Sequence, residues 1–139
     1  MEHFDDYSHA LASIALMVVL GQVLAIYSAL KKNQAGVPSG GLPTADYGDP
    51  TFRASRAFLN ATEQMGMFVG ATVAAILVGA SPVAVNLLAS VFVLSRIIVA
   101  VVHIRGIGKA DNGVRSIVFT IGWLCSLGLA GLALWGALT

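Results

Sequence analysis

The chain has 139 residues, 57% hydrophobic and 11% charged, with eight Lys and Arg against seven Asp and Glu. Soluble domains run at roughly 45–50% apolar and 25% charged, so a water-soluble globule of this composition would leave too much apolar surface uncovered. The near-balanced charge by itself says nothing about nucleic acid, but no basic patch interleaved with aromatics stands in an accessible loop, so no nucleic-acid partner is expected; the single cysteine, Cys125, excludes an internal disulfide and a cysteine-based metal cluster.

Four apolar stretches, Ser8 to Leu30, Ala57 to Gly79, Val83 to Ile104 and Ser116 to Leu138, each reach the roughly 20 residues that cross a bilayer core. They predict an all-α integral membrane protein, a single four-transmembrane-helix bundle over residues 1–139 with spans at about 8–32, 51–79, 83–105 and 115–138. Glu2, Asp5 and Asp6 before the first stretch are the wrong charge for a secretory signal, so that stretch is read as a span. Lys31, Lys32, Arg53, Arg56, Arg105, Lys109 and Arg115 all lie in or beside the first and third connections. The positive-inside rule then places both basic loops in the cytoplasm and both termini on the other side. This arrangement suits a bacterial inner membrane or, in a eukaryote, the endoplasmic reticulum or another organelle.

Ser8 is the expected N-cap of the first helix, and Lys31 and Lys32 suit its C-terminal end, where cations favour the helix dipole. The connection from Asn33 to Pro50 is rich in Gly and Pro and longer than bundle connections usually are; it reads equally as a lid or a linker. Asp49-Pro50 opens the second helix with an N-cap and a Pro at the first helical position. From there Arg53, Arg56, Asn60 and Glu63 follow at offsets of three, four and three, one face of a helix that continues without a break into an apolar span. Lower in that span Gly66, Gly70 and Ala74 place small residues at every fourth position, a pattern that permits close helix packing.

Pro82 starts the third helix, and Arg96 and His103 share a face near its end with Val99 between them. The third connection, Arg105 to Val114, carries the turn residues Gly106, Gly108, Asp111, Asn112 and Gly113. Arg115-Ser116 opens the fourth helix, with Phe119, Thr120 and Trp123 on the same side.

This topology brings Arg56, Asn60, Glu63, Arg96, His103 and Arg115 to one level near the cytoplasmic face. Each has a structural alternative. Arg53 and Arg115 suit interfacial anchors, Arg96 a side chain that snorkels to the headgroups, Glu63 an ion-pair partner for Arg96 or Arg56, and His103 an interfacial hydrogen-bonding residue. No metal site is expected, because His103 has no His, Cys or carboxylate at ligand spacing. Taken jointly, several Arg with a Glu and an Asn suit a small zwitterion with more than one carboxylate and an amine.

The order Asp49-Pro50, Arg53, Arg56-Ala57, Asn60 and Glu63, then Arg96 and Arg115-Ser116, resembles the MAPEG family, the membrane-associated proteins of eicosanoid and glutathione metabolism. The resemblance implies a homotrimer of four-helix subunits in contact with membrane lipids, with glutathione bound between neighbours near the cytoplasmic face. It implies a transferase or peroxidase acting on lipophilic electrophiles that arrive from the bilayer. By position, Arg53, Arg56, Asn60, Glu63, Arg96 and His103 would form the glutathione site; Arg115 would stabilise the thiolate, with Ser116 as a donor to the same sulfur. Gln64, Val99 and His103 stand where eicosanoid enzymes carry tyrosines, and Phe119 lacks a hydroxyl found there in some members. Two other readings remain: a small transporter or proton-relay protein using Glu63, Arg96 and His103, and a non-catalytic member of the same fold.

Overall fold

A computed structural model describes residues 2–38, 40–108 and 113–139. A single helical turn, α1 (Glu2–Asp5), precedes four long helices: α2 (Ser8–Gln34), α3 (Pro50–Leu77), α4 (Pro82–Arg105) and α5 (Val114–Leu138). Lys109, Asp111 and Asn112 of the third connection lie outside the described residues.

The ends of the helices follow local chemistry. At the start of α3, the Asp49 carboxylate accepts from Thr51 N at 2.8 Å, and Pro50 stands where no amide partner is needed. α2 runs past its Lys pair to Gln34, and α2, α3 and α4 each turn out through a glycine of positive φ, Gly36, Gly79 and Gly106. The amide after each glycine reaches back five residues, as from Ile107 N to Val102 O at 3.0 Å, which satisfies carbonyls the helix end would orphan.

One expected cap is corrected. Ser8 is the first residue of α2, Tyr7 holds the N-cap position, and no side chain from this turn caps it. The partner comes from α4, where Asn86 Oδ1 accepts from Ala10 N at 2.9 Å while its Nδ2 donates to Asp6 O at 2.7 Å. The buried Tyr7 hydroxyl donates to Ala80 O, so the α2 start is stitched to both α4 and the turn before it.

All four long helices pack into one bundle, with α3 and α4 each touching the other three. Phe68 of α3 and Phe92 of α4 stack at 4.0 Å between centroids, and Met17 of α2 and Leu129 of α5 are fully buried in the same core. Lipid tails are as apolar as these side chains, so close packing and internal hydrogen bonding, more than removal from water, hold such a core together. Ser and Thr hydroxyls bond back to their own helices, as Thr72 does to Phe68 O at 2.7 Å and Ser95 to Phe92 O at 2.6 Å. The outer surface is apolar, with Leu16, Val19, Val23, Ile26, Leu124, Leu127 and Leu134 all exposed.

Three of the helices, α2, α4 and α5, are long and apolar enough to cross a membrane. α3 is as long but carries Arg53, Arg56, Asn60 and Glu63 in its first half, with Gln64 next. Gly66 and Gly70 also depart from expectation: both are exposed, and a Cβ at either would meet nothing within 4 Å. Their small side chains therefore serve no close packing inside this chain.

Candidate functional site

The first turns of α3, the last turns of α4 and the first turns of α5 meet at the end of the bundle opposite the Asn86 clasp. Between them opens a cleft of about 260 Å³ lined by Tyr47, Arg56, Asn60, His103, Arg115, Ser116, Phe119 and Thr120. Five of the eight residues expected at the site, Arg56, Asn60, His103, Arg115 and Ser116, thus share one opening.

Arg96 lies beneath it. The side chain is 2% exposed, so it does not snorkel, and that reading is overturned. Its Nη2 donates to Phe119 O at 2.8 Å, Nε to Ser95 Oγ at 3.3 Å and Nη1 to Asn60 Oδ1 at 3.4 Å, while the guanidinium lies 4.6 Å from the Phe119 ring centroid and 5.3 Å from that of Phe92. Two carbonyl-type acceptors and two ring faces solvate this cation, and among the described residues no carboxylate lies within ion-pair distance of it. Room for the guanidinium comes from Gly122, where a Cβ would stand 2.6 Å from Nη2. Asn60 is therefore shared: its amide borders the cleft and also touches the buried cation.

Glu63 pairs with Arg56 at 4.0 Å, at the limit of an ion pair, with side chains 55% and 33% exposed. Such an exposed pair contributes little in water. Glu63 shares its outward face with Gly66, Met67 and Gly70, so in a bilayer this carboxylate would need cover from another surface.

Arg53 turns away from the cleft. Its Nη1 donates to Tyr47 O at 2.7 Å and Gly48 O at 2.9 Å, and its side chain packs against Gly106, the left-handed cap of α4 at φ 65°. A residue expected to bind a ligand is thus engaged in fastening the first connection onto the bundle.

That connection delivers a residue the sequence reading missed. The Tyr47 ring is stacked on His103 at 6.2 Å and 14°, meets Phe52 edge-on at 5.1 Å, and carries the Arg115 guanidinium 4.4 Å from its centroid. Its one signal in the sequence was to be the only aromatic between Asn33 and Pro50, three residues before the helix opening. His103 is buried under this ring, with no hydrogen-bond partner for Nδ1 among the described residues. Those residues include no group of three His, Cys, Asp or Glu able to hold a metal ion.

A separate groove lies farther along the same two helices, α3 and α5. One turn beyond Asn60 and Thr120, Gln64, Met67, Trp123, Ser126 and Leu127 begin a second, mainly apolar groove of about 410 Å³, a size within the roughly 300–1,000 Å³ of small-molecule pockets.

An all-helical bundle with an apolar exterior, three helices able to span a bilayer and a polar cleft at one end defines an integral membrane protein with a candidate ligand site. The sequence model of the MAPEG family matches residues 8–135, nearly the whole chain, and the protein belongs to that family. A comparison with curated proteins finds no match.

Proposed function

We propose that this protein is a membrane-embedded glutathione-dependent transferase or peroxidase acting on lipophilic electrophiles. The observation that carries the reading is the convergence of Arg56, Asn60, Arg115 and Ser116 on one cleft, with an apolar groove beginning one turn farther along α3 and α5.

The donor set fits a peptide with two carboxylates, an amine and a thiol. Arg56 and the Asn60 amide offer donors for a carboxylate and a main-chain carbonyl, and Glu63 beside Arg56 offers an acceptor for the amine. Arg96, positive and without a carboxylate partner among the described residues, adds favourable potential from below. Bound glutathione would supply the sulfur nucleophile for addition to an electrophilic carbon or reduction of a hydroperoxide. A free thiol of pKa about 8.5 is mostly protonated at neutral pH, and the fixed cation of Arg115 raises the thiolate fraction, with the Ser116 hydroxyl as donor to the sulfur. The α3–α5 groove gives a lipophilic partner a route from the bilayer. Arg53 acts at one remove, by holding the connection that closes this end.

The assembly belongs to the same proposal. Glu63 and the bare Gly66 and Gly70 lie on a face that a second copy would cover, which supports the homotrimer common to the family. We place the basic connections in the cytoplasm and the termini opposite, with all four long helices crossing as a single domain. A relay across the membrane has less behind it, because Asn86, a polar group of α4 toward the other end, has both its oxygen and its nitrogen engaged in the α2 clasp.

The test is direct. Detergent-solubilised protein should gain thermal stability with millimolar glutathione and should conjugate a standard small electrophile. Absence of both effects overturns the reading and leaves the non-catalytic alternative.

A further inference from the structure

The segment that ends the first connection is unusually well fastened for a loop. Asp46 Oδ1 accepts from Gly48 N at 2.7 Å, Asp46 O accepts from Asp49 N at 3.1 Å, and Asp49 caps α3. Arg53 Nη1 binds the carbonyls of both Tyr47 and Gly48. The ring so fixed touches all three helices that form the cleft: Phe52 of α3, His103 of α4 and Arg115 of α5. A loop needing only to be packed away could bury this ring against apolar side chains; here one face lies against an imidazole and a guanidinium sits 4.4 Å from its centroid.

Arg115 stands on the first turn of α5, behind an N-cap glycine that offers no side-chain bond. A long Arg side chain loses about 2 kcal/mol of rotamer freedom if held in one place, so a cation meant to act at a fixed point benefits from a rigid surface to rest on. An aromatic face held at its backbone provides one.

We propose that Tyr47 is a positioning residue for Arg115: its ring, tied down by Arg53, sets where the guanidinium stands in the cleft and so how strongly it acts on a bound thiol. This rests on the function proposed above. It gives the first connection a specific task and gives Arg53 one as well, acting through Tyr47 and not by contact with a ligand. It also assigns the contribution to the ring, so Phe should serve in place of Tyr where Leu should not.

The experiment uses the full-length protein in detergent and compares Tyr47→Phe, Tyr47→Leu and Arg53→Met with wild type. With glutathione as the probe, the ultraviolet thiolate signal is followed against pH. Tyr47→Leu and Arg53→Met should move the thiol titration to higher pH and lower the thiolate-to-thiol ratio at neutral pH about two- to five-fold, the equivalent of about 0.5–1 kcal/mol for a partly exposed cation–π contact; Tyr47→Phe should titrate as wild type. A ligand-free readout runs in parallel: the rate at which phenylglyoxal modifies Arg115, mapped by mass spectrometry, should rise by a similar factor in the Leu and Met variants and stay unchanged in Phe. Unchanged titration and modification in Tyr47→Leu, or a Phe variant that behaves as Leu does, overturns the proposal. If wild type forms no thiolate with glutathione, the proposed function fails, and the modification rates alone decide the role of Tyr47.

Discussion

Gly122→Ala is the sharpest test of how the buried Arg96 is housed. A methyl group at this position would overlap Ser95 Oγ and stand 2.6 Å from Arg96 Nη2 and 3.1 Å from Nε. Forcing one carbon into a packed interior costs about 1–3 kcal/mol. If the guanidinium yields by giving up its bond to Phe119 O, now 2.8 Å, the loss includes a hydrogen bond to a charged group, which contributes about 1.5–3 kcal/mol. The two effects overlap, so a loss of about 3 kcal/mol is expected, which lowers the thermal midpoint by roughly 10 °C. The assay is thermal unfolding in detergent, run also in a background carrying Ser95→Ala and Arg96→Met, where the atoms that obstruct the methyl are gone. There the same substitution should cost at least about 1 kcal/mol less, the signature of direct coupling. A Gly122→Ala protein as stable as wild type, or an equal loss in both backgrounds, would refute the packing described for Arg96.

Other perturbations separate the two ends of the bundle. Asn86→Ala removes the α2 cap and its second bond to Asp6 O, and should cost about 1–2 kcal/mol in thermal stability while leaving the stabilisation conferred by glutathione intact. Arg115→Ala should do the reverse, lowering conjugation about a hundredfold, as loss of a charge-stabilising donor does, with little change in the midpoint without ligand. A Cβ added at Gly70 would meet no atom within 4 Å in its own chain, so in Gly70→Leu the subunit should keep its helical circular dichroism while size-exclusion and cross-linking report loss of the proposed oligomer. A Gly70→Leu protein that remained fully assembled would remove that face from the interface.

What could be read from the sequence depended on whether the determining contact was local. Asp49-Pro50, the glycine-terminated helices and the three-four-three spacing of Arg53, Arg56, Asn60 and Glu63 are local patterns, and the helices begin and end within a few residues of where those patterns put them. Which way a side chain on the stripe turns is not local. Arg53 and Arg56 are both in the first turns of α3, yet one binds the carbonyls of residues 47 and 48 and the other lines the cleft. Nothing in their spacing distinguishes them, because the difference lies in the path of the first connection. Tyr47 was hidden for the same reason, and so was the acceptor most important to Arg96, a backbone carbonyl that any residue at position 119 would have supplied.

The stripe on α3 explains why this helix alone among the long ones is not apolar enough to span by composition. Its polar residues point in three directions: Arg53 toward the connection, Arg56 and Asn60 toward the cleft, and Glu63 outward beside Gly66 and Gly70. Were the stripe a simple snorkelling anchor, its members would turn together toward the headgroups, and Asn60 would not touch a cation 2% exposed. The division instead matches three separate demands on one helix: fastening a loop, lining a site and meeting a neighbour. The first two can be met inside this chain. The third rests on the assembly proposed above, since among the described residues the Glu63 carboxylate, 55% exposed, has only Arg56, 33% exposed, as an ion-pair partner, at 4.0 Å. Glu63→Gln therefore separates ligand from neighbour: if the carboxylate serves the amine of a bound peptide, affinity for glutathione should fall while the oligomer persists. An oligomer lost together with affinity would instead place Glu63 in the contact between subunits.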